Sequence, residues 1–205
     1  MKKVLFLFGL IALVIMISSF SKERKNFNSP ISNTNFKSTV LTQEESQEQN
    51  FNIPFVGNNF TGFKEAVAFK ESQGKYNTVN TLGYLGKYQF GKSTLKRFNI
   101  YNTHLFLQNP ELQENAFIAL CSVNKWILRK DIRRSVGKTI NHVKITESGI
   151  LAAAHLAGAG NVKKYLRSNG SHQFKDAYGS TVQHYLKQFS GYNTSIIEAS
   201  KKPTL

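Results

Sequence analysis

The chain of 205 residues predicts a single, mainly α-helical domain with at most a small β-hairpin, set behind an apolar leader and a polar linker. Three observations predict this. Apolar residues recur at helical spacing in several stretches, Asn, Ser and Thr stand at the starts of those stretches, and no stretch alternates over the length of a strand. A hydrophobic content of 40% is enough for a core. The lone cysteine, Cys121, leaves no disulfide framework, no CxxC redox pair and no multi-thiolate zinc site.

The leader comes first. Met1-Lys2-Lys3 precedes 14 consecutive apolar residues, Val4 to Ile17. That is the shape of a secretory signal, shorter than the roughly 20 apolar residues of a membrane span. Ser19-Phe20-Ser21 offers small residues at a cleavage site, so residues 1–21 are expected to be a signal peptide or an uncleaved inner-membrane anchor through 4–20. Lysines flank both ends of the run and do not separate the two. Either way the remainder is expected to be exported, to the periplasm or cell envelope or out of the cell. Residues 22–57 read as a linker, rich in Asn, Ser, Thr and Gln with Pro30 and Pro54. Residues 58–192 are expected to fold, and 193–205 to form a tail.

Charge points to an anionic partner. The chain has 27 Lys and Arg against 12 Asp and Glu, a formal +15, of which +13 falls on residues 61–205. Nucleic acid, anionic lipid and a cell-wall polymer all fit that balance, and export argues against nucleic acid.

The elements follow in order. Phe63, Ala66, Val67 and Lys70 fall at i, i+3, i+4 and i+7, which predicts a helix over 63–72 ended by Gly74. Residues 74–86, with Gly74, Asn77, Asn80, Gly83 and Gly86, read as loop or hairpin. Residues 93–98 read as a short helix. Asn109-Pro110 is an N-cap followed by Pro at the first helical position, and Leu112, Ala116, Leu120, Val123 and Ile127 continue as one apolar stripe. Cys121 lies in this helix as a small buried hydrophobe. Thr146 caps a helix over 147–157 closed by Gly158 and Gly160, with another over 161–167. Ser180 is expected to cap a last helix in which Val182, Tyr185, Leu186 and Phe189 share a face.

Among the eight acids of 61–205, Glu71 stands apart. It follows Val67 at i+4, at the end of an apolar face, and precedes a loop carrying Tyr76, Tyr84 and Tyr88. A carboxylic acid set against apolar groups favours its neutral form and can give a proton to a leaving oxygen. Tyrosine rings stack on pyranose faces while loop hydroxyls and amides bond their edges. The five histidines contain no HExxH and the chain no GxSxG elbow, so neither a zinc peptidase nor a Ser-His-Asp hydrolase is supported.

Three blocks then carry a resemblance. Glu71-Ser72 opens the first. Gly86-Lys87-Tyr88-Gln89 is the second, with Gln89 placed 18 residues after Glu71 and Thr94 following. Ile150 to Val162, with Ala157-Gly158 in register, is the third. Together they resemble the lysozyme-like superfamily of lytic transglycosylases and goose-type lysozymes, over roughly Phe63 to Tyr192. The resemblance implies a lysozyme-like helical domain that acts on peptidoglycan strands without metal or cofactor. It implies Glu71 as the catalytic acid at the bond between N-acetylmuramic acid and N-acetylglucosamine. It implies Ser72, Tyr88, Gln89, His155 and Tyr185 as substrate-side residues. Ser72 binds the acid or the acetamido group or caps the helix. Gln89 binds sugar or braces its loop, and His155 faces the cleft or the core.

The chain departs from the family pattern at Lys87-Tyr88 in place of Leu-Met, Lys92 in place of Pro, and His155-Leu156 in place of Tyr-Asn. Ordinary glycosidases need two carboxylates. After Glu71 the next acid is Glu111, and Glu65 falls on another helix face, whereas Glu147 and Asp176 remain free to fold into the cleft. The scarcity favours a lytic transglycosylase, which needs one acid and yields a 1,6-anhydro sugar, over a hydrolysing lysozyme. A non-catalytic wall-binding module and a membrane-surface protein are the other readings.

Overall fold

The computed structural model describes residues 56–205, so the expected leader and nearly all of the expected linker lie outside the described residues. The described part is mainly helical. It runs α1 (Phe60–Ser72), α2 (Lys92–Arg97), α3 (Thr103–Leu107), α4 (Pro110–Ser135), β1 (Thr139–Ile140), β2 (Val143–Lys144), α5 (Glu147–Arg167) and α6 (Val182–Gln188). No helix among the described residues is long and apolar enough to cross a membrane.

Side-chain caps start most of these helices. Asn59, Asn102, Asn109, Thr146 and Thr181 each accept a backbone N–H of the following first turn. The last helix is therefore capped by Thr181, not by Ser180; the Thr181 hydroxyl takes the N–H of His184 at 3.1 Å. The five-residue α3 was not expected, because its length is too short for periodicity to register.

The hairpin lies elsewhere than expected. Between residues 76 and 90 there are only single bridges, Val79 with Leu85 and Leu85 with Phe90. Asn80 Oδ1 takes the N–H groups of Leu82 and Tyr84, diverting them from a ladder. The two-stranded antiparallel sheet is β1–β2, with Thr139 opposite Lys144 and Ile140 opposite Val143. Asn141 and His142 both take positive φ (48° and 62°), as a two-residue primed turn requires. The absence of glycine at the second position hid it.

Helix α5 is the spine of the core. Its Ile150, Leu151, Ala152, Ala153 and Val162 are fully buried, and it packs against α4 and α6. Each such aliphatic side chain larger than Ala contributes about 1.5–3 kcal/mol on burial. The expected stop at Gly158 is a kink instead. Gly158 takes φ 75°, ψ 150°, and the helix resumes as far as Arg167. Asn161 Nδ2 donates to the Ala157 carbonyl at 2.9 Å, satisfying an acceptor that the kink frees.

The segment expected as a tail from residue 193 onward packs on α4. Ile197 is 3% exposed, Lys125 Nζ donates to the Thr194 carbonyl, and Ser122 Oγ donates to the carbonyl of Glu198. Phe63, Tyr88, Phe117 and Tyr192 link α1, the 86–90 loop and α4 in an aromatic cluster.

Candidate active site

Glu71 stands in the last turn of α1, just before the chain turns sharply. Gln73 is left-handed (φ 57°), and the N–H of Gly74 reaches back to the Ala68 carbonyl at 3.1 Å. Ser72 fixes the exit. Its hydroxyl donates to the Lys87 carbonyl at 2.8 Å and accepts the Lys75 N–H at 3.0 Å. Phe63 and Val67 turn into the core, while Glu71 remains half-buried beside a small cavity of about 110 Å³. Asn80, Leu82 and Tyr84 form one wall of this cavity, Asp176, Ala177 and Tyr178 the other, and Gln89, His155 and Leu156 its base. The two walls touch where the Thr81 and Tyr178 hydroxyls meet at 2.8 Å. A larger open arm of about 890 Å³ shares Leu82, Tyr84, Gln89, His155 and Leu156 with it, so the two form one groove.

Tyr185 reaches Glu71 from α6. Its hydroxyl donates to Glu71 Oε1 at 2.8 Å. Burial, followed by the charge on Glu71, pushes the Tyr185 phenol well above its ordinary pKa, so it stays protonated. A phenol has both a donor and acceptor lone pairs, so it can hold Glu71 with or without a proton. No other hydrogen bond to the Glu71 carboxyl is present among the described residues.

Three of the expected residues, Glu71, Gln89 and His155, line the groove. Gln89 Nε2 donates to the Gly86 carbonyl at 2.9 Å, leaving its side-chain oxygen for a ligand. His155 Nε2 carries the hydrogen that goes to the Tyr88 carbonyl at 2.8 Å, and its buried Nδ1 has no partner among the described residues. Tyr185 acts through Glu71. Ser72 and Tyr88 are not in the wall; of the two alternatives for Ser72 the structure has the helix cap, and the expectation for Tyr88 is corrected. Ser72 is spent on the helix exit. Tyr88 is 0% exposed, stacked on Phe117 at 4.0 Å, with its hydroxyl donated to Glu114 Oε2 at 2.8 Å.

Beneath the wall lies an ionic network that spacing did not reveal. Lys87 is 4% exposed, and its ammonium meets Glu65 Oε1 at 2.7 Å, Glu114 Oε1 at 2.8 Å and the Tyr76 hydroxyl at 3.1 Å. Lys64 adds a second cation at Glu114 Oε2. Burial opposes the charge on Glu114, but hydrogen bonds from Lys64, Lys87, Tyr76 and Tyr88 outweigh it and hold the carboxyl at about 2. Burial likewise opposes the Lys87 ammonium, and its bonds to Glu114, Glu65 and Tyr76 hold its pKa above the ordinary lysine value. Lys87 lies outside the groove lining and anchors the loop from below. Gln113 anchors the same loop. Its Oε1 accepts the Lys87 N–H at 2.8 Å and its Nε2 donates to the Phe106 carbonyl at 2.9 Å.

Of the two acids left free by spacing, Asp176 comes to the groove and Glu147 does not. Glu147 pairs with Lys125 and Thr194. Asp176 lines the cavity with Glu71, while its Oδ1 accepts the N–H groups of Tyr178 and Ser180 at 3.0 and 2.6 Å. Tyr84 and Asn80 belong to the loop whose tyrosines and asparagines the sequence marked, whereas Tyr178 lies in a segment without periodicity that gave no signal. No group of three or more His, Cys, Asp and Glu capable of holding a metal is found among the described residues. No protein-family model matches the chain, and neither a curated protein nor a solved structure does.

Proposed function

We propose that the protein is an exported lytic transglycosylase with a lysozyme-like domain, cleaving the β-1,4 bond between N-acetylmuramic acid and N-acetylglucosamine in peptidoglycan. The observation that carries the reading is Glu71 held by Tyr185 at the edge of a groove lined by Tyr84, Gln89 and His155. Wall tyrosines and amides suit sugar rings and their hydroxyl edges. The net +13 on residues 61–205 suits a polymer with free carboxylates.

The chemistry needs one acid. Glu71 gives its proton to the glycosidic oxygen as the bond from C1 to that oxygen breaks. The acetamido oxygen of the muramic residue shares the positive charge that builds at C1. Ionised Glu71 then takes the proton of the C6 hydroxyl, O6 bonds to C1, and a 1,6-anhydro sugar leaves with no water consumed. Tethering O6 to the same ring gives it a high effective concentration. Tyr185 keeps the carboxyl aimed through both steps.

Asp176 favours a second reading. A second carboxylate on the Glu71 cavity is what a hydrolysing lysozyme requires. Its Oδ1 already serves two backbone amides, which makes a structural part in its loop sufficient.

The test is release of soluble fragments from purified sacculi. Glu71→Gln should lower release roughly 100- to 10,000-fold while leaving the melting temperature near that of the parent. Release at the parent rate would overturn the assignment. Fragment masses separate the two chemistries, since an anhydro product lacks one water. With a single acid, Asp176→Asn should leave the anhydro product in place. Hydrolysed product that disappears in Asp176→Asn would install the lysozyme reading instead.

A further inference from the structure

The larger arm of the groove has a chemistry unlike the part that holds Glu71. It runs from Tyr84 and Gln89 to α2 and α4 and does not include Glu71. Its wall on α2 carries Lys92 and Arg97, both exposed, and neither has an ion-pair partner among the described residues. Among the described residues no Asp or Glu lines the arm. Its lining between α4 and α5 is aliphatic, with Ile127, Leu156 and Ala159, while Tyr84 stands only at the end shared with the Glu71 cavity. From α4, Asn124 also lines the arm; that side chain is 4% exposed and its Nδ2 has no partner among the described residues.

Cations without carboxylates, an aliphatic lining and a buried unpaired amide are what a short acidic peptide requires. Its carboxylates meet Lys92 and Arg97, small apolar side chains lie on the aliphatic lining, and a backbone carbonyl takes the orphan amide of Asn124. We infer that this arm binds the carboxylate-bearing peptide of a peptide-substituted glycan strand. The preferred substrate is then a strand that still carries its peptides rather than a bare one. The inference rests on the proposed cleavage of peptidoglycan for its substrate, though not for the binding itself.

Two measurements on the full-length protein test it. The first is calorimetric titration with a synthetic alanyl-glutamyl tetrapeptide bearing free carboxylates, beside the same peptide with its carboxylates amidated. The free form should bind about fivefold more tightly, and Lys92→Gln/Arg97→Gln should erase the difference. The second compares kcat/KM on peptide-bearing strands with that on strands stripped of peptide. The parent should prefer the former by roughly tenfold, and the double variant should fall to less than about twofold. Equal binding of the two peptides, or a preference that survives in the double variant, overturns the inference. If the parent releases nothing from either strand, the cleavage reading falls, and the titration alone still decides whether the arm takes an acidic peptide.

Discussion

The Tyr185 hydroxyl lies 2.8 Å from Glu71 Oε1, joining α6 to α1 across 114 residues of sequence. Among the described residues this is the only hydrogen bond to the Glu71 carboxyl. It sets the aim of the side chain but supplies no atom to the reaction, so Tyr185 is a positioning residue. Tyr185→Phe keeps the ring and its packing on Phe189 and removes one charge-assisted bond. The expected result is a fall in kcat of roughly ten- to a hundredfold with little change in KM. A structural role alone would lower the melting temperature and leave kcat per folded molecule unchanged.

Acid should loosen the loop under the groove. Glu114 sits at about 2 in the folded protein against an ordinary 4.5, so its pairs stabilise fully above pH 4.5 and are lost as pH falls towards 2. The difference is worth about 3 kcal/mol. Lys87 works in the opposite direction. Its raised value contributes fully below the ordinary 10.5 and is lost only above it. Glu114→Gln should therefore cost about 3 kcal/mol at pH 7, near 9 °C in melting temperature. The gap between parent and variant should close as the pH approaches 2, which melting curves across pH would show.

How much of this was legible in the chain depended on whether a residue sits in a periodic element. Glu71 was legible because it follows Phe63 and Val67 at helical spacing and precedes Gly74, and Asn109-Pro110 announced α4 in the same way. Tyr88 was misread because a loop has no period. Whether a loop side chain points outward or inward is decided by partners far away in sequence, here Glu114 and Phe117. The same reason hid the Lys87 network, since Glu65, Tyr76 and Glu114 converge only after folding. Asp176 was countable as an acid but not placeable, because residues 168–181 carry no repeating pattern. Gly158 was visible as a break; that the helix resumes beyond it depends on Asn161 bonding back across the kink.

Close contact between α5 and α6 sets where Tyr185 sits. A Cβ at Gly149 would lie 2.6 Å from the Leu186 carbonyl oxygen and 3.2 Å from its Cα. Both are backbone atoms next to Tyr185, so relief requires α6 itself to move. Gly149→Ala is expected to cost about 2 kcal/mol and to lower kcat by drawing the phenol away from Glu71. The mechanism predicts non-additivity. In Gly149→Ala/Tyr185→Phe the loss of kcat should be close to that of Tyr185→Phe alone, because the displaced hydroxyl is already gone. Additive losses would place the effect of Gly149 elsewhere.

Gly158 gives a separate handle on the arm of the groove. Its φ of 75° and ψ of 150° fall in a region that is essentially reserved for glycine. A Cβ there would meet nothing within 4 Å, so contact with neighbours plays no part and any cost is backbone strain. Gly158→Ala should thus destabilise by about 1–3 kcal/mol, or roughly 3–9 °C. The strain is relieved only if residues 157–160 shift, and Ala159 and Gly160 line the arm. Asn161→Ala loses the bond to the Ala157 carbonyl but leaves the dihedral allowed, so it should cost only about 1 kcal/mol. If the kink shapes the arm, Gly158→Ala reduces the preference for peptide-bearing strands and Asn161→Ala reduces it less. Calorimetry and paired kcat/KM measurements on the two variants distinguish this from a kink that serves stability alone, in which both would melt earlier with the preference intact.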